Sequence, residues 1–98
     1  MKLYTLHTES LPNLSNIVAR FFHGATILYG LGIWIGERES AAAILIYAPA
    51  DAQPLVAQLA DAIVFENRQQ AVYVSVQNVD LYTATSAGLT RVALPEVV

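Results

Sequence analysis

The sequence predicts an α+β protein: four strands and two helices in the order βαββαβ. They form an antiparallel sheet with two helices on one face and a short C-terminal extension. Three observations predict it. Residues 24–48 read as two long strands joined by a short polar turn. Two stretches of helical period flank that hairpin, and each stands between strands. The 98 residues are 55% hydrophobic and 13% charged, against about 45–50% and about 25% in ordinary domains. That excess asks for a second buried apolar surface besides the core.

Lys2 to Thr8 is the first strand, with Leu3 and Thr5 alternating against Tyr4 and Leu6. Ser10, Pro12 and Asn13 are start signals for a helix. Leu14, Ile17, Val18 and Phe21 follow at i, i+3, i+4 and i+7, one helical face. His23 is expected in its last turn and Gly24 at the left-handed position beyond it. In the hairpin, Ala25, Ile27, Tyr29, Leu31, Ile33 and Ile35 make one apolar face. Gly30, Gly32, Gly36 and Trp34 fall on the other. A helix across those glycines would lose about 1 kcal/mol at each. The charges sit at the expected turn, Glu37-Arg38-Glu39, and Ala41 to Tyr47 is the return strand.

Pro49 ends that strand, Asp51 is placed to cap a second helix, and Pro54 fits its first turn. Leu55, Leu59, Ala62 and Ile63 line its apolar face, widened by Val56, Ala60 and Val64. Residues 66–70 close it in a polar cluster. Val72, Val74 and Val76 alternate with Tyr73, Ser75 and Gln77 in a fourth strand. Val79 to Thr85 continues extended, Ser86-Ala87-Gly88 is a turn, and Arg91 to Leu94 adds a short last strand. Two strand-helix-strand units of similar length are the ferredoxin-like arrangement, with all of residues 1–98 in one domain.

The formal charge of −3 and five scattered basic residues argue against a nucleic-acid partner. There is no cysteine, so disulfide and thiol chemistry are excluded. The N-terminal residues do not read as a signal peptide. The charge-free run from Phe21 to Gly36 is shorter than the roughly 18–20 apolar residues of a membrane helix. A soluble, cytoplasmic protein is the expectation, with no membrane partner.

Few side chains point to chemistry. His7 and Glu9 at the end of the first strand are the candidate acid–base pair, although no nucleophile or orienting partner stands with them. His23 has no second histidine at ligand spacing, and neither a metal nor a cofactor is expected. Glu37, Arg38 and Glu39 are candidate ligand-binding residues, though adjacent turn charges are ordinarily solvated. Asn67, Arg68 and Gln69 are a second candidate set, with the Arg68 fork suited to a carboxylate or phosphate. The ordinary reading of that set is a helix C-terminus that favours a cation. Gly30-x-Gly32-x-x-x-Gly36 has neither the spacing nor the following helix of a dinucleotide loop. The five tyrosines all fall in expected strands, where an aromatic sheet face would hold a partner or a flat ligand. Leu28, Tyr29 and Trp34 are the expected interface residues, with Trp34 as the anchor.

A helix, then the long hairpin GATILYGLGIWIGERESAAAILIY, then a second helix and a fourth strand resembles the PII-like and CutA-like group of small trimeric proteins. The resemblance is one of layout and spans residues 3–80. It implies a hairpin that contributes to a trimer, and clefts between subunits that bind small effectors or metals. The layout is also similar, more loosely, to the small dimeric α+β-barrel proteins, some of which are cofactor-less oxygenases. The expected function is therefore a non-enzymatic homo-oligomer, dimer or trimer, that senses a small-molecule effector or serves as an interaction module. The alternative is a small barrel-type enzyme acting on an apolar or aromatic substrate, with His7 as base.

Overall fold

A computed structural model of the chain describes residues 1–92. Its elements are β1 (Lys2–Glu9), α1 (Leu14–Ala19), β2 (Thr26–Trp34), β3 (Glu37–Ala48), a single 3-10 turn (Ala50–Ala52), α2 (Gln53–Asn67), β4 (Tyr73–Asn78), β5 (Tyr82–Thr85) and β6 (Gly88–Arg91). The first four strands form one antiparallel sheet in the order β2-β3-β1-β4. That is the expected α+β, ferredoxin-like layout.

Alternation decides which side chains enter the core. The even residues Tyr4 and Leu6 of β1, and Ala42, Ile44, Ile46 and Ala48 of β3, are buried. Leu14, Ile17 and Val18 of α1 and Val56, Leu59 and Ile63 of α2 cover them. Both helices thus lie on one face. An ion pair between Arg20 and Glu66 joins the helices at their surface. The odd residues of β1, β3 and β4 and, by register, the even residues of β2 form the opposite, open face of the sheet. The expected apolar face of α2 is shifted slightly, since Leu55 and Ala62 are half-buried and Val56 lies at its centre.

Tyr4 ties the start of β1 to the connection between β3 and α2. Its hydroxyl lies 3.2 Å from the carbonyl oxygens of both Pro49 and Ala50. Burial, aided by the negative charge of Asp51, raises the Tyr4 phenol above its ordinary value of 10.0. The unfolded chain therefore ionises first as the solution turns alkaline. The contribution is complete below about pH 10 and is lost as the pH rises through the raised value. Tyr4→Phe is expected to flatten this alkaline loss, read as denaturation midpoints at about pH 9 and about pH 11. Equal slopes in the two proteins would show that Tyr4 is not the group responsible.

Several local expectations are corrected. The helix α1 ends at Ala19 with Arg20 as its cap, so His23 lies in a bend beyond the helix. Gly24 is not left-handed, since the positive-φ glycines are Gly36 and Gly88. Asn13 occupies the N-cap position of α1 but makes no capping bond; its side chain is used elsewhere. Asp51 lies in the 3-10 turn, and Ala52 takes the N-cap position of α2. The hairpin turn falls earlier than its charges suggest. Ile35 at φ 51° and Gly36 at φ 75° make a two-residue turn with both central residues left-handed. Glu37, Arg38 and Glu39 are therefore the first residues of β3, not the turn.

Ile35 is a poor residue for that turn. A β-branched side chain at positive φ crowds the backbone at a cost of about 1–2 kcal/mol. Ile35→Asn is expected to raise stability by about 1 kcal/mol, seen as a higher denaturant midpoint with an unchanged slope. A lower midpoint would show that the exposed Ile35 side chain contributes more than its backbone costs.

Beyond β4 the chain forms a second hairpin. Among the described residues, strands β5 and β6 pair only with each other, across the expected turn at 86–88, where Gly88 has φ 106°. The expected last strand, Arg91 to Leu94, is thus displaced toward Gly88, and its part beyond residue 92 lies outside the described residues.

Candidate functional site

The β2–β3 hairpin is longer than the sheet it belongs to. Glu9, the last residue of β1, is paired with Ala41. Residues 37–39 of β3 and their partners Gly32, Ile33 and Trp34 extend beyond it. Yet Trp34 reaches Tyr73 of β4, three strands away, with ring centroids 6.5 Å apart and planes inclined at 44°. The end of the hairpin therefore coils across the open face of the sheet. Small residues make this possible. Gly30, Gly32, Ala41 and Ala43 all fall on that face and leave a shallow floor beneath the aromatic pair.

A cavity of about 710 Å³ lies between this floor, the coiled hairpin and the segment joining α2 to β4. His7 enters it from β1, flanked in register by Ala43 and Tyr73. Glu9 and Glu39 border it, as do Leu28, Tyr29 and Trp34. Arg68 and Gln69 close one end. Three groups of residues that are far apart in sequence are thus brought together.

Gln69 is fixed by β1. Its amide nitrogen and oxygen both face the Thr8 hydroxyl, at 2.5 and 2.8 Å. Its oxygen also accepts the backbone N–H of Glu9 at 3.4 Å. The end of α2 is shaped by Arg68, whose φ of 53° is left-handed and whose N–H bonds back to the Val64 carbonyl. This is the conformation that ends many helices, ordinarily with Gly or Asn.

The remaining expected residues lie elsewhere. Asn67 is turned to the other helix, where its side-chain oxygen accepts a bond from Asn13 at 2.7 Å. Glu37 and Arg38 stand exposed near the hairpin turn and do not border the cavity. The tyrosines are divided between faces: Tyr4 is in the core, while Tyr47 and Tyr73 fall on the open face. No single aromatic sheet face exists. Reading the sequence alone placed Gly30, Gly32 and Trp34 on one face but did not join them to Ala41 and Ala43 in a floor. Its signal was the shared strand face of Gly30, Gly32 and Trp34, which alternation does reveal.

Among the described residues no cluster of three or more His, Asp or Glu side chains is placed to hold a metal ion. No helix among them is long and apolar enough to cross a membrane.

No protein-family model matches the chain, and no curated protein matches it. Among solved structures it is similar to a DUF3240 family protein from Shewanella baltica OS155. The two are 16% identical, with a TM-score of 0.60 over 87% of this chain and 96% of the other. At that identity the likeness is one of fold: the chain shares the small α+β architecture of that protein.

Proposed function

We propose that this chain is a non-enzymatic module of PII-like type, which assembles with copies of itself and senses a small molecule. One observation carries the reading. The cavity under the coiled hairpin gathers charged, amide and aromatic side chains onto an otherwise small-residue floor. Its size is that of a small-molecule site, about 300–1,000 Å³. Tyr29, Leu31 and Ile33, exposed along one face of the hairpin, support self-association. Contiguous patches of this kind are rarely left to water. Light scattering at micromolar protein is expected to return a dimer or trimer. A mass near the 10.6 kDa of one chain would overturn the assembly part of the reading.

The presence of His7 in the cavity favours a second reading, a small barrel-type enzyme with His7 as general base. That reading needs a group to orient the imidazole. No side chain among the described residues is hydrogen-bonded to His7, and the cavity opens to solvent.

A further inference from the structure

Gly30 and Arg68 depart from local preference in opposite senses, and both border the same cavity. Gly30 lies inside β2 with no left-handed φ to require it. A Cβ built there meets no heavy atom within 4 Å. Gly32 is different: a Cβ there would lie 3.1 Å from Ala41 Cβ and 3.3 Å from Glu39 Cγ. The chain itself therefore accounts for Gly32 but not for Gly30, where a larger residue would strengthen the strand. Arg68 is the converse. Its left-handed backbone favours Gly or Asn, yet a long charged side chain is kept. The fold leaves empty a place it would let a side chain fill, and holds at Arg68 a cation that the helix end favours but the left-handed backbone does not. A molecule lying flat over Gly30 and gripped by Arg68 accounts for both.

The charges narrow its chemistry. Arg68, Glu9 and Glu39 border the cavity, with His7, Tyr29 and Tyr73 as the other titratable groups. The ion pairs among the described residues are Arg20–Glu66 and Arg91–Asp80, so none of the three cavity charges is paired. A simple anion would meet Arg68 but face two carboxylates, and a simple cation would leave Arg68 unmatched. A molecule bearing both signs satisfies all three. Trp34 and Tyr73 offer an aromatic wall against a flat ring. We propose that the cavity binds a planar aromatic zwitterion. Its carboxylate sits on Arg68, its ammonium faces Glu9 and Glu39, and its ring covers Gly30. The proposal rests on the ligand-sensing reading above and names the ligand class for that site.

Trp34, the sole tryptophan, reports directly on the cavity. The full chain is titrated with L-phenylalanine, benzoate and benzylamine, following Trp34 fluorescence and, independently, heat. L-Phenylalanine is expected to bind at least about tenfold more tightly than either single-charge probe, one charge-assisted contact being worth about that factor. Gly30→Val and Arg68→Gly are each expected to weaken it by about tenfold or more. Both variants should keep the wild-type circular dichroism and a melting temperature no lower than wild type. Silence of all three probes up to about 10 mM, weaker than ordinary specific affinities, overturns the proposal. So does equal or tighter binding of benzoate or benzylamine, or unchanged binding in both folded variants. Light scattering on the same samples separates the two readings. An assembled protein that binds no probe refutes the ligand class alone, and a monomer that binds L-phenylalanine refutes self-assembly alone.

Discussion

Leu59→Ala or Ile63→Ala is expected to destabilise the fold by about 2–5 kcal/mol, the range for large-to-small changes in a closed core. Both side chains are fully buried on α2, facing the even residues of β1 and β3. The loss has two parts: the transfer free energy of the removed methyl and methylene groups, and the contacts missing around the void. Neighbours from both helices and two strands hold the walls apart, so little collapse is available. The measurement is a denaturant midpoint with its slope, which should stay constant if the native and unfolded states are otherwise unchanged. A cost below about 0.5 kcal/mol, typical of surface sites, would mean that α2 presents a different face to the sheet.

Trp34→Ala is expected to weaken self-assembly by about 2 kcal/mol or more, the threshold that marks an interface anchor. The observation behind it is that Trp34 remains 48% exposed although it leans on Tyr73. Its own strand offers it little cover, because Gly32 and Gly30 precede it on the same face. Part of an aromatic group of about 150–250 Å² is thus left open, and the proposed self-assembly would cover it. The dissociation midpoint on dilution, followed by light scattering, measures the loss, while circular dichroism should keep its helical signal. Iodide quenching of the single tryptophan gives a second readout. Free quenching in the assembled protein would refute the anchor. Shielding that survives dilution to monomer would assign the cover to the chain itself.

Much of the architecture was legible because its signals are local. Alternation in Lys2 to Thr8 and in residues 72–77, and the 3.6-residue spacing of Leu14, Ile17 and Val18, reflect which side of one element meets the core. Those signals need no knowledge of neighbours. The errors had two sources, one local and one distant in sequence. The charges of Glu37, Arg38 and Glu39 resemble a turn, but the backbone reverses at Ile35-Gly36, where only φ marks it. Asn67 reads as part of a polar cluster, yet a partner 54 positions away claims its side chain.

What the sequence by itself determined is the order of strands and helices and the face each presents, since periodicity is a property of consecutive residues. It also singled out His7, Glu9, Glu39, Arg68, Gln69, Leu28, Tyr29 and Trp34, though as unrelated groups. Only the tertiary structure decided that these border one cavity. The long hairpin coils over the open face and carries Trp34 to Tyr73, while the end of α2 brings Arg68 and Gln69 to the end of β1. Register and coiling set that meeting, and both arise from pairing between strands distant in sequence. No period within a single strand encodes where its neighbour will stop.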